Sequence, residues 1–515
     1  MAWPEFVFIF VMPGANELSA LDRGLFVSLV EDRRWAEAVK FYEDLRQKDP
    51  DCLPVTNALA KVAYENRDFT AAFGLLGSLV KKNPGSPIWL NNLGVVAAGR
   101  GDLVVARGLL QQAEMVSGSK SEILYNLGCL AVNENNKESA LKIFSQIIVV
   151  EPGHIRALFA LSRIAKELGR VDEAITYCSK LVEQAPNEAE FRQNLGIVLL
   201  KKGDWEEGFE LYEARWQANR LGQFASDFLW QGEDLSGKTI LVWSEQGLGD
   251  TINFVRYLPQ LNELAGSVVL VVQEVLVELL RSSFPKIKIM GLCERDRVVH
   301  DVQVPLLNLP RFFQAQPDVV APVNPYLRVS EEFQKKWCLR LVTDRTRSNK
   351  VTCLQVGVVW AGNPHHANDI NRSISLKLFS RIFALKGVSF YSLQKEQVAV
   401  DVQLIATFTG AGESCREFID LSGELNDFQD TAAILQNLDL LISCDTSVAH
   451  LAGALSCPTW LLLPFDADWR WLLDRDDSPW YPSMRLFRQP DPGSWGPVIN
   501  EVCCCLQGML ESRVN

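Results

Sequence analysis

The feature that most constrains the fold of this chain is a period of 34 residues in its first part. Six blocks begin at residues 19, 53, 87, 121, 155 and 189, each start being the previous one plus 34. Place seven of each block is leucine and place twenty is small, at Leu25, Leu59, Leu93, Leu127, Leu161 and Leu195, and at Ala38, Ala72, Ala106, Ala140, Ala174 and Gly208. Such a period indicates a supersecondary unit that stacks on copies of itself to bury its apolar face.

Two further places divide each block into a pair of helices. Turns between paired helices are predicted at Arg33, Arg67, Gly101, Asn135, Gly169 and Gly203, and helix breakers at Pro50, Pro84, Gly118, Pro152 and Pro186. These occupancies resemble the tetratricopeptide repeat (TPR) family over residues 19 to about 220. We therefore expect an all-α TPR solenoid over 19–230, with six repeats plus a capping helix, after a loose N-terminal extension, 1–18.

Asparagines recur at place six of three blocks, as Asn92, Asn126 and Asn194. TPR arrays commonly hold a peptide on their concave face, and side-chain amides can hydrogen-bond an extended backbone without reading its sequence. A similar ladder occurs in the eukaryotic protein O-GlcNAc transferases. The alternative is that Asn-Leu-Gly belongs to the common repeat pattern, since Ala58 and Ala160 interrupt the series.

Charge and cysteine content exclude several functions. The net charge of -12 argues against general binding of nucleic acid. The twelve cysteines have no zinc-like spacing. The apolar start has no preceding Lys or Arg, unlike a secretory signal, and no stretch approaches the roughly 20 apolar residues of a membrane span. We therefore expect a cytoplasmic protein with no bound metal.

After Trp230, short β-branched runs alternate with helical patterns, which is typical of a parallel sheet covered on both faces. Strands are predicted at 239–243, 267–272, 286–290, 356–360, 388–393, 438–443 and 459–463, with a helix at 250–261 and a proline-rich crossover at 305–329. These elements form two Rossmann-like halves, 235–330 and 351–515, as in the GT-B architecture. Ligands of such sheets lie at the carboxyl ends of the strands.

The first strand-to-helix junction contains Gly247, Gly249 and Asp250. The glycines allow a ligand close to the backbone, and Asp250 could accept the proton of an attacking hydroxyl. The alternative role for Asp250 is helix capping alone. A nicotinamide site is disfavoured because Ile252 stands where the dinucleotide fingerprint requires Gly or Ala.

At the second junction, Asn363 and Arg372 could bind phosphate or sugar oxygens. Gln394, which follows the next strand, is predicted to belong to the same binding site. His365 and His366 are interpreted as a solvated loop, because adjacent histidines rarely bind one metal ion.

The third junction delivers Asp445, Thr446 and Ser447 to the first turn of a helix, with His450 on the same face. Free backbone N–H groups, the helix dipole and two hydroxyls suit a pyrophosphate. The alternative is capping by Asp445 or Thr446, with His450 packed in the core.

The segments WSEQGLGDTINFVRYLPQL, GVVWAGNPHHANDINRSI and DLLISCDTSVAHLAGA resemble bacterial TPR-linked glycosyltransferases related to the lipopolysaccharide heptosyltransferases. The tail FDADWRWLLDRDDSPWYPSMRLFRQ also resembles that group, although its acidic pieces 466–468 and 474–477 are interpreted as surface structure. The resemblance implies that Asp250 is the base and that Asp445, Thr446 and His450 bind the nucleotide sugar. Ser447 replaces the glycine of the family pattern, which leaves the donor open.

The resemblance implies an inverting glycosyltransferase that needs no metal and no cofactor beyond its nucleotide-sugar donor. Some members of the group are associated with flagellin glycosylation, so the predicted acceptor is a hydroxyl of a protein held in the TPR groove. The alternatives are a TPR scaffold with a degenerate transferase domain and a transferase that acts on lipopolysaccharide.

Overall fold

The computed structural model describes residues 5–9, 34–48, 52–118, 120–218, 228–318, 320, 325–347, 353–366, 368–395, 399–408 and 416–514. The chain divides into two compact units, Met1–Pro186 and Asn187–Asn515. The predicted places Leu25, Arg33 and Pro50 lie outside the described residues.

The first unit is a TPR solenoid built from antiparallel helical hairpins, as the period predicts. Its described helices are Trp35–Lys48, Leu53–Glu65, Phe69–Lys82, Pro87–Gly99, Leu103–Ser117, Ser121–Asn133, Lys137–Val150, Ile155–Glu167 and Val171–Gln184. The alanines at place twenty are fully buried, because paired helices touch there. The turn residues Arg67, Gly101, Asn135 and Gly169 all have positive φ, so the chain reverses where the sequence predicts.

The sixth predicted hairpin belongs to the second unit. It consists of Ala189–Lys202 and Trp205–Tyr212, followed by the short helix Arg215–Ala218. A Cβ atom on Gly196 would lie 2.7 Å from the backbone nitrogen of Tyr212, so the two helices approach more closely than a side chain allows. The TPR pattern therefore continues past the boundary between the units, and its last hairpin folds with the α/β elements.

The described residues of the rest of the second unit form two sheets in which all strands are parallel. The first has the order β3-β2-β1-β4 and the second β10-β9-β8-β5-β6-β7. Their strands are Thr239–Trp243 (β1), Ser267–Val272 (β2), Lys288–Gly291 (β3), Val302–Pro305 (β4), Leu354–Val359 (β5), Val388–Ser392 (β6), Arg416–Asp420 (β7), Leu440–Cys444 (β8), Thr459–Leu463 (β9) and Met484–Arg488 (β10). The strand order reverses between β1 and β4 and between β5 and β8, as in a doubly wound fold.

Helices separate most of these strands. Those of the second unit after β1 are Leu248–Phe254, Leu258–Leu264, Val277–Ser283, Leu309–Phe312, Glu331–Arg347, Asp369–Arg372, Leu376–Phe379, Ala399–Phe408, Phe428–Leu435, Ser447–Ala454 and Trp495–Val514. None of the helices in the described ranges is long and apolar enough to cross a membrane.

The structure corrects several predicted elements. The predicted crossover at 305–329 begins on the last residue of β4, a strand that the sequence analysis missed, as it also missed β7 and β10. β4 is short and ends in proline, a residue usually found outside central strands. The predicted helix 250–261 is two helices with a 3-10 turn between them, and Pro259 lies in the first turn of the second, where its missing N–H does no harm.

The close contact at Gly196 can be tested by adding one methyl group. We expect Gly196→Ala to lower the free energy of unfolding of the second unit by about 1–3 kcal/mol, because the atoms that the methyl group would meet are backbone atoms that cannot move aside. Urea unfolding followed by tryptophan fluorescence measures the effect.

Gly508→Ala is the matched control. Gly508 lies in the helix Trp495–Val514, and a Cβ atom on it would meet nothing within 4 Å. Alanine there should stabilise the same unit by about 0.5–1 kcal/mol through helix propensity. Equal stability changes in the two variants would contradict the packing argument.

Candidate functional site

The candidate site lies at the carboxyl ends of β1, β5 and β8, where the strand order of the two sheets reverses. The helices Leu248–Phe254 and Ser447–Ala454, which follow β1 and β8, pack against each other. A Cβ atom on Gly249 would lie 2.7 Å from the His450 ring, so glycine is required for this approach. The first and third junctions predicted from the sequence are therefore neighbours.

Asp250 makes two contacts, one with each carboxylate oxygen. Its Oδ2 accepts a hydrogen bond from the Gly247 backbone N–H at 2.9 Å, which is the capping role considered as the alternative. Its Oδ1 accepts a hydrogen bond from the Arg470 guanidinium at 2.5 Å. The side chain remains 19% exposed. Asp250 is thus a helix cap and also one partner of an ion pair that the sequence analysis did not foresee.

The segment around residue 470 places a charged side chain in the interior, directly after the acidic residues 466–468. Asp468 is exposed, but Arg470 is buried and bonds both Asp250 and Asp468. The next residue, Trp471, is fully buried, and its indole N–H donates to Asp445 Oδ2 at 3.0 Å. Two consecutive side chains therefore hold the carboxylates of the first and third junctions. Asp477 does form an exposed ion pair with Arg475, as expected of surface structure.

Burial opposes the charged form of Arg470, but Asp468 and Asp250 raise the pKa of the guanidinium above its ordinary value. Arg470 is therefore a fixed positive charge in this cluster. The signal that the sequence analysis overlooked was the Asp-Trp-Arg-Trp string itself, because two tryptophans beside an arginine favour a buried position over a solvated one.

Aromatic packing from the sixth hairpin supports this segment. Trp205 stacks on Trp480 with ring centroids 4.7 Å apart, and Phe209 meets Trp469 edge to face at 5.5 Å. The Arg470 guanidinium lies 4.3 Å from the centroid of Trp469. Such aromatic pairs fix geometry as well as burying area. The last helical hairpin therefore holds Arg470 in place.

The sixth hairpin and the helix after it also bind the loop that follows β1. Arg215 and Glu245 form a fully buried ion pair at 2.5 Å, and Arg215 also donates to the side-chain oxygen of Asn308. The Tyr212 hydroxyl accepts a hydrogen bond from the Gln246 amide at 3.1 Å. Removing one partner of a buried pair is strongly destabilising, so this helical segment is a structural part of the first junction.

The third junction has two groups with displaced pKa values. Burial, and next the negative charge of Asp468, raise the pKa of Asp445 above its ordinary value. Burial, and next the positive charge of Arg470, lower the pKa of His450 to about 3. His450 is therefore a neutral imidazole at physiological pH.

The hydrogen bonds of His450 assign its tautomer. The Tyr481 hydroxyl donates to Asn253 Oδ1 at 3.0 Å, so it accepts from His450 Nδ1, which lies 2.9 Å away. The proton is then on Nδ1, and Nε2 carries the lone pair, 3.9 Å from Asp445 Oδ1. Nε2 can accept a hydrogen bond from a ligand hydroxyl.

Thr446 and Ser447 begin the helix that follows β8. The Thr446 side chain makes no cap hydrogen bond to this helix, and its hydroxyl instead lies 3.2 Å from Ser443 Oγ. The carbonyl of Thr446 accepts from the amides of Ala449 and His450. The amides of Ser447 and Val448 come before these in the helix and have no helical carbonyl to bond. The alternative predicted for this junction was helix capping with His450 packed in the core. Capping by the Thr446 side chain is wrong, whereas His450 is buried, as that alternative predicts.

The second junction gives its predicted residues different roles. Gln394 is buried, accepts from the amides of Trp360 and Ala361 and donates to the carbonyl of Ala361, so it fixes the turn after β5. Asn363 is exposed and accepts from the His365 amide. Arg372 forms an ion pair with Asp369 at 3.1 Å and is 18% exposed.

His365 and His366 are exposed, as the loop interpretation predicts. Among the described residues, no group of three His, Cys, Asp or Glu side chains is placed to hold a metal ion.

In the first unit, Asn92 and Asn126 bond the backbone of the chain's own residues Ile9 and Val7. Residues 5–9 were predicted as part of a loose extension, but they are held in place by these contacts. Asn194 lies in the second unit and is half-buried.

Comparisons with known proteins agree with the repeat array. A sequence profile of the tetratricopeptide repeat matches residues 57–120 and 125–189. The protein FlbA of Caulobacter vibrioides is 26% identical over 367 residues, which cover 67% of this chain and 60% of that protein. The chain thus spans about 60% of the length of this curated relative. The first unit belongs to a type of array suited to protein interaction.

Two solved structures of TPR proteins are similar to about a third of this chain. A thermophilic TPR protein of Thermus thermophilus is 22% identical, with a TM-score of 0.30 over 34% of this chain and 96% of that chain. YrrB, described as a TPR protein with an unusual peptide-binding site, is 16% identical, with a TM-score of 0.29 over 35% of this chain and 92% of that chain.

The raised pKa of Asp445 predicts how stability depends on pH. Between the ordinary pKa of Asp and the raised one, the folded state binds more protons than the unfolded state, so the wild-type protein loses stability as pH rises. Asp445→Asn removes this loss, because an amide does not ionise in this pH range. We therefore expect the variant to be the more stable protein at neutral pH, by a margin that disappears toward pH about 4.

Urea unfolding at several pH values measures this margin. Asp491→Asn, at an exposed position, is the control and should show a difference that does not vary with pH. A margin for Asp445→Asn that is constant with pH would show that Asp445 is not destabilised by its charge.

Proposed function

We propose that this chain is an inverting glycosyltransferase that moves a sugar from a nucleotide sugar to a hydroxyl of a protein acceptor held by the TPR groove. The observation that carries the proposal is the convergence of the strand ends of β1 and β8, which brings Asp250 beside Arg470 and the open helix start at Ser447 beside Asp445 and His450. A base and an anion site are thus adjacent, which is what group transfer from a phosphate requires. This agrees with the resemblance to the heptosyltransferase-related group.

In the proposed complex the diphosphate of the donor lies at the start of the helix Ser447–Ala454. The first amides of this helix and the positive end of its dipole face the phosphate oxygens. The hydroxyls of Thr446 and Ser447 add donors, and Arg372 supplies a guanidinium fork. The positive charge of Arg372 opposes the rise in the pKa of Asp445, which indicates that the two groups are close.

In the proposed reaction the acceptor oxygen attacks the anomeric carbon while Asp250 takes its proton. Each carboxylate oxygen of Asp250 keeps a lone pair beyond its present bond. The bond between the anomeric carbon and the phosphate oxygen breaks, and the electron pair leaves with the nucleoside diphosphate. The helix amides and Arg372 stabilise the negative charge that develops on it.

The neutral His450 can hold a sugar hydroxyl through Nε2, and Asp445 can do so through Oδ1. Proton transfer and sugar positioning are then separate tasks of Asp250 and of the third junction. We propose that the reaction takes place in the cytoplasm, as the sequence analysis predicts.

A second candidate is a TPR scaffold with an inactive transferase domain. It is favoured by the two hydrogen bonds that Asp250 already accepts, from the Gly247 amide and from Arg470. A carboxylate whose charge is stabilised by these donors is a weaker acceptor for the proton of an attacking hydroxyl. Calorimetry with a panel of nucleotide sugars separates the candidates, since a scaffold binds none of them.

Arg372 is the first test of the donor site. We expect Arg372→Ala to weaken binding of the donor that the wild-type protein selects by roughly 10–100-fold, the value of one charge-assisted hydrogen bond. Arg372→Lys should fall between the two, because lysine keeps the charge but not the fork. Isothermal calorimetry measures the affinities.

Arg485→Ala is the control, because Arg485 pairs with Glu501 away from the junctions and is exposed. It should bind the donor as the wild-type protein does. Wild-type affinity in Arg372→Ala would remove Arg372 from the donor site.

Asp250 is the test of the chemical step. Asp250→Asn should lower the rate of sugar transfer by roughly 100–10,000-fold, because the amide cannot take the proton. Asparagine keeps an oxygen that can accept from Arg470, so donor affinity should fall much less than the rate of transfer. Transfer is measured by mass spectrometry of acceptor proteins incubated with the donor. Near-normal turnover in this variant would refute the role of base.

A further inference from the structure

The groove of the TPR array contains a segment of the chain itself, residues 5–9. Asn126 accepts from the Val7 N–H at 2.6 Å and donates to the Val7 carbonyl at 2.8 Å. Asn92 bonds Ile9 in the same way, at 2.8 and 2.7 Å. Each asparagine thus binds both backbone groups of one residue. The two bound residues are two positions apart, which is the spacing of an extended chain that turns every second residue toward the same side.

The two asparagines are oriented by a second pair that the sequence analysis did not single out. Asn92 donates to Asn57 Oδ1 at 3.0 Å, and Asn126 donates to Asn91 Oδ1 at 2.8 Å. These four side chains are fully buried. Asn91 also donates to Asn92 Oδ1 at 3.1 Å, so the four amides form one chain of hydrogen bonds that orients Asn92 and Asn126 as a backbone clamp. The sequence signal was present, since Asn57 and Asn91 both occupy place five of their blocks.

Side-chain contacts add apolar selectivity to the backbone clamp. Phe8, between the two clamped residues, is buried with its ring 5.7 Å from that of Tyr64, and the Lys61 ammonium lies 5.9 Å from its centroid. Phe6 packs against apolar residues of neighbouring repeats, whereas Glu5 is exposed. Val7 and Ile9 also pack against apolar residues of the array. The groove therefore fits an extended apolar segment that has aromatic side chains at alternate positions.

We propose that residues 5–9 are a built-in occupant that keeps the groove closed until an extended apolar segment of an acceptor protein, with aromatic side chains at alternate positions, displaces it. This rests on the acceptor role proposed above for the groove. Because the clamp bonds only backbone atoms of the occupant, it has no preference for this chain's own sequence. A segment of another protein with the same alternation can make the same bonds.

Competition within one chain is strong because the occupant is tethered. A tethered segment has an effective concentration on the order of millimolar. A free segment therefore binds only to the fraction of molecules in which the groove is open, and its apparent affinity falls by that fraction. Weakening the occupant without touching the groove should raise the affinity for a peptide in trans.

The test uses the full chain and a fluorescent peptide of residues 4–12, PEFVFIFVM, with added lysines for solubility. Phe8→Asp places a charge in the buried contact with Tyr64, and Val7→Pro removes the N–H that binds Asn126. Both variants change only the occupant. By fluorescence anisotropy we expect each to bind the peptide at least about tenfold more tightly than the wild-type chain.

Adding Asn92→Ala and Asn126→Ala to Phe8→Asp should abolish the gain, and Val149→Asp, an exposed position on the array, should behave as the wild-type chain. Equal peptide affinity in the wild-type chain and in both occupant variants would overturn the proposal. Conversion of a dimer to a monomer by Phe8→Asp in light scattering would also overturn it, because the occupant would then come from a second copy.

Donor calorimetry on the same variants keeps this test separate from the proposed chemistry. Peptide binding that rises in Phe8→Asp while no donor binds would support the closed groove and refute sugar transfer. Donor binding together with unchanged peptide affinity would refute the closed groove alone.

Discussion

The ion pair between Arg470 and Asp250 is the contact on which the candidate site depends. It joins a residue from the loop after β9 to the helix after β1, and Trp471 carries the connection on to Asp445 beyond β8. If this segment were displaced, two carboxylates would lose their partners together. Its position depends in turn on stacked tryptophans, of which Trp205 comes from the last helical hairpin. The repeat pattern thus supplies part of the framework of the α/β site.

The site contains features that favour binding over stability. Asp445 and His450 both have pKa values displaced toward the uncharged form by burial. Among the described residues, Arg470 Nε, Asn253 Nδ2 and Ser244 Oγ are buried without a hydrogen-bond partner. Leu472, one residue after Trp471, has a φ of 53°, which a leucine rarely adopts. Strain and unsatisfied groups that cluster in one place are typical of a functional site.

Periodic features of the fold could be predicted from the sequence, and long-range pairs could not. The helix contact at Ala140 and the turn at Gly169 could be predicted because each position recurs every 34 residues and depends only on contacts within one hairpin. β1, β2 and β9 were readable because they are buried apolar runs. β4 was missed because it is short and ends in proline, and Arg470 was missed because its partner lies 220 residues away. The spacing of apolar residues predicts which face of an element is buried, but it does not predict which two charged side chains form a buried ion pair.

The division of the chain after Pro186 has a consequence for recombination. The repeat period invites an exchange of arrays at the end of the sixth block, near residue 220. Such a chimera would discard Trp205, Tyr212 and Arg215, and with them the contacts of Gln246 and Glu245. A joint placed in the turn at Pro186 would keep these contacts with the α/β unit. The boundary that permits modular exchange is therefore one repeat earlier than the boundary drawn by the 34-residue period.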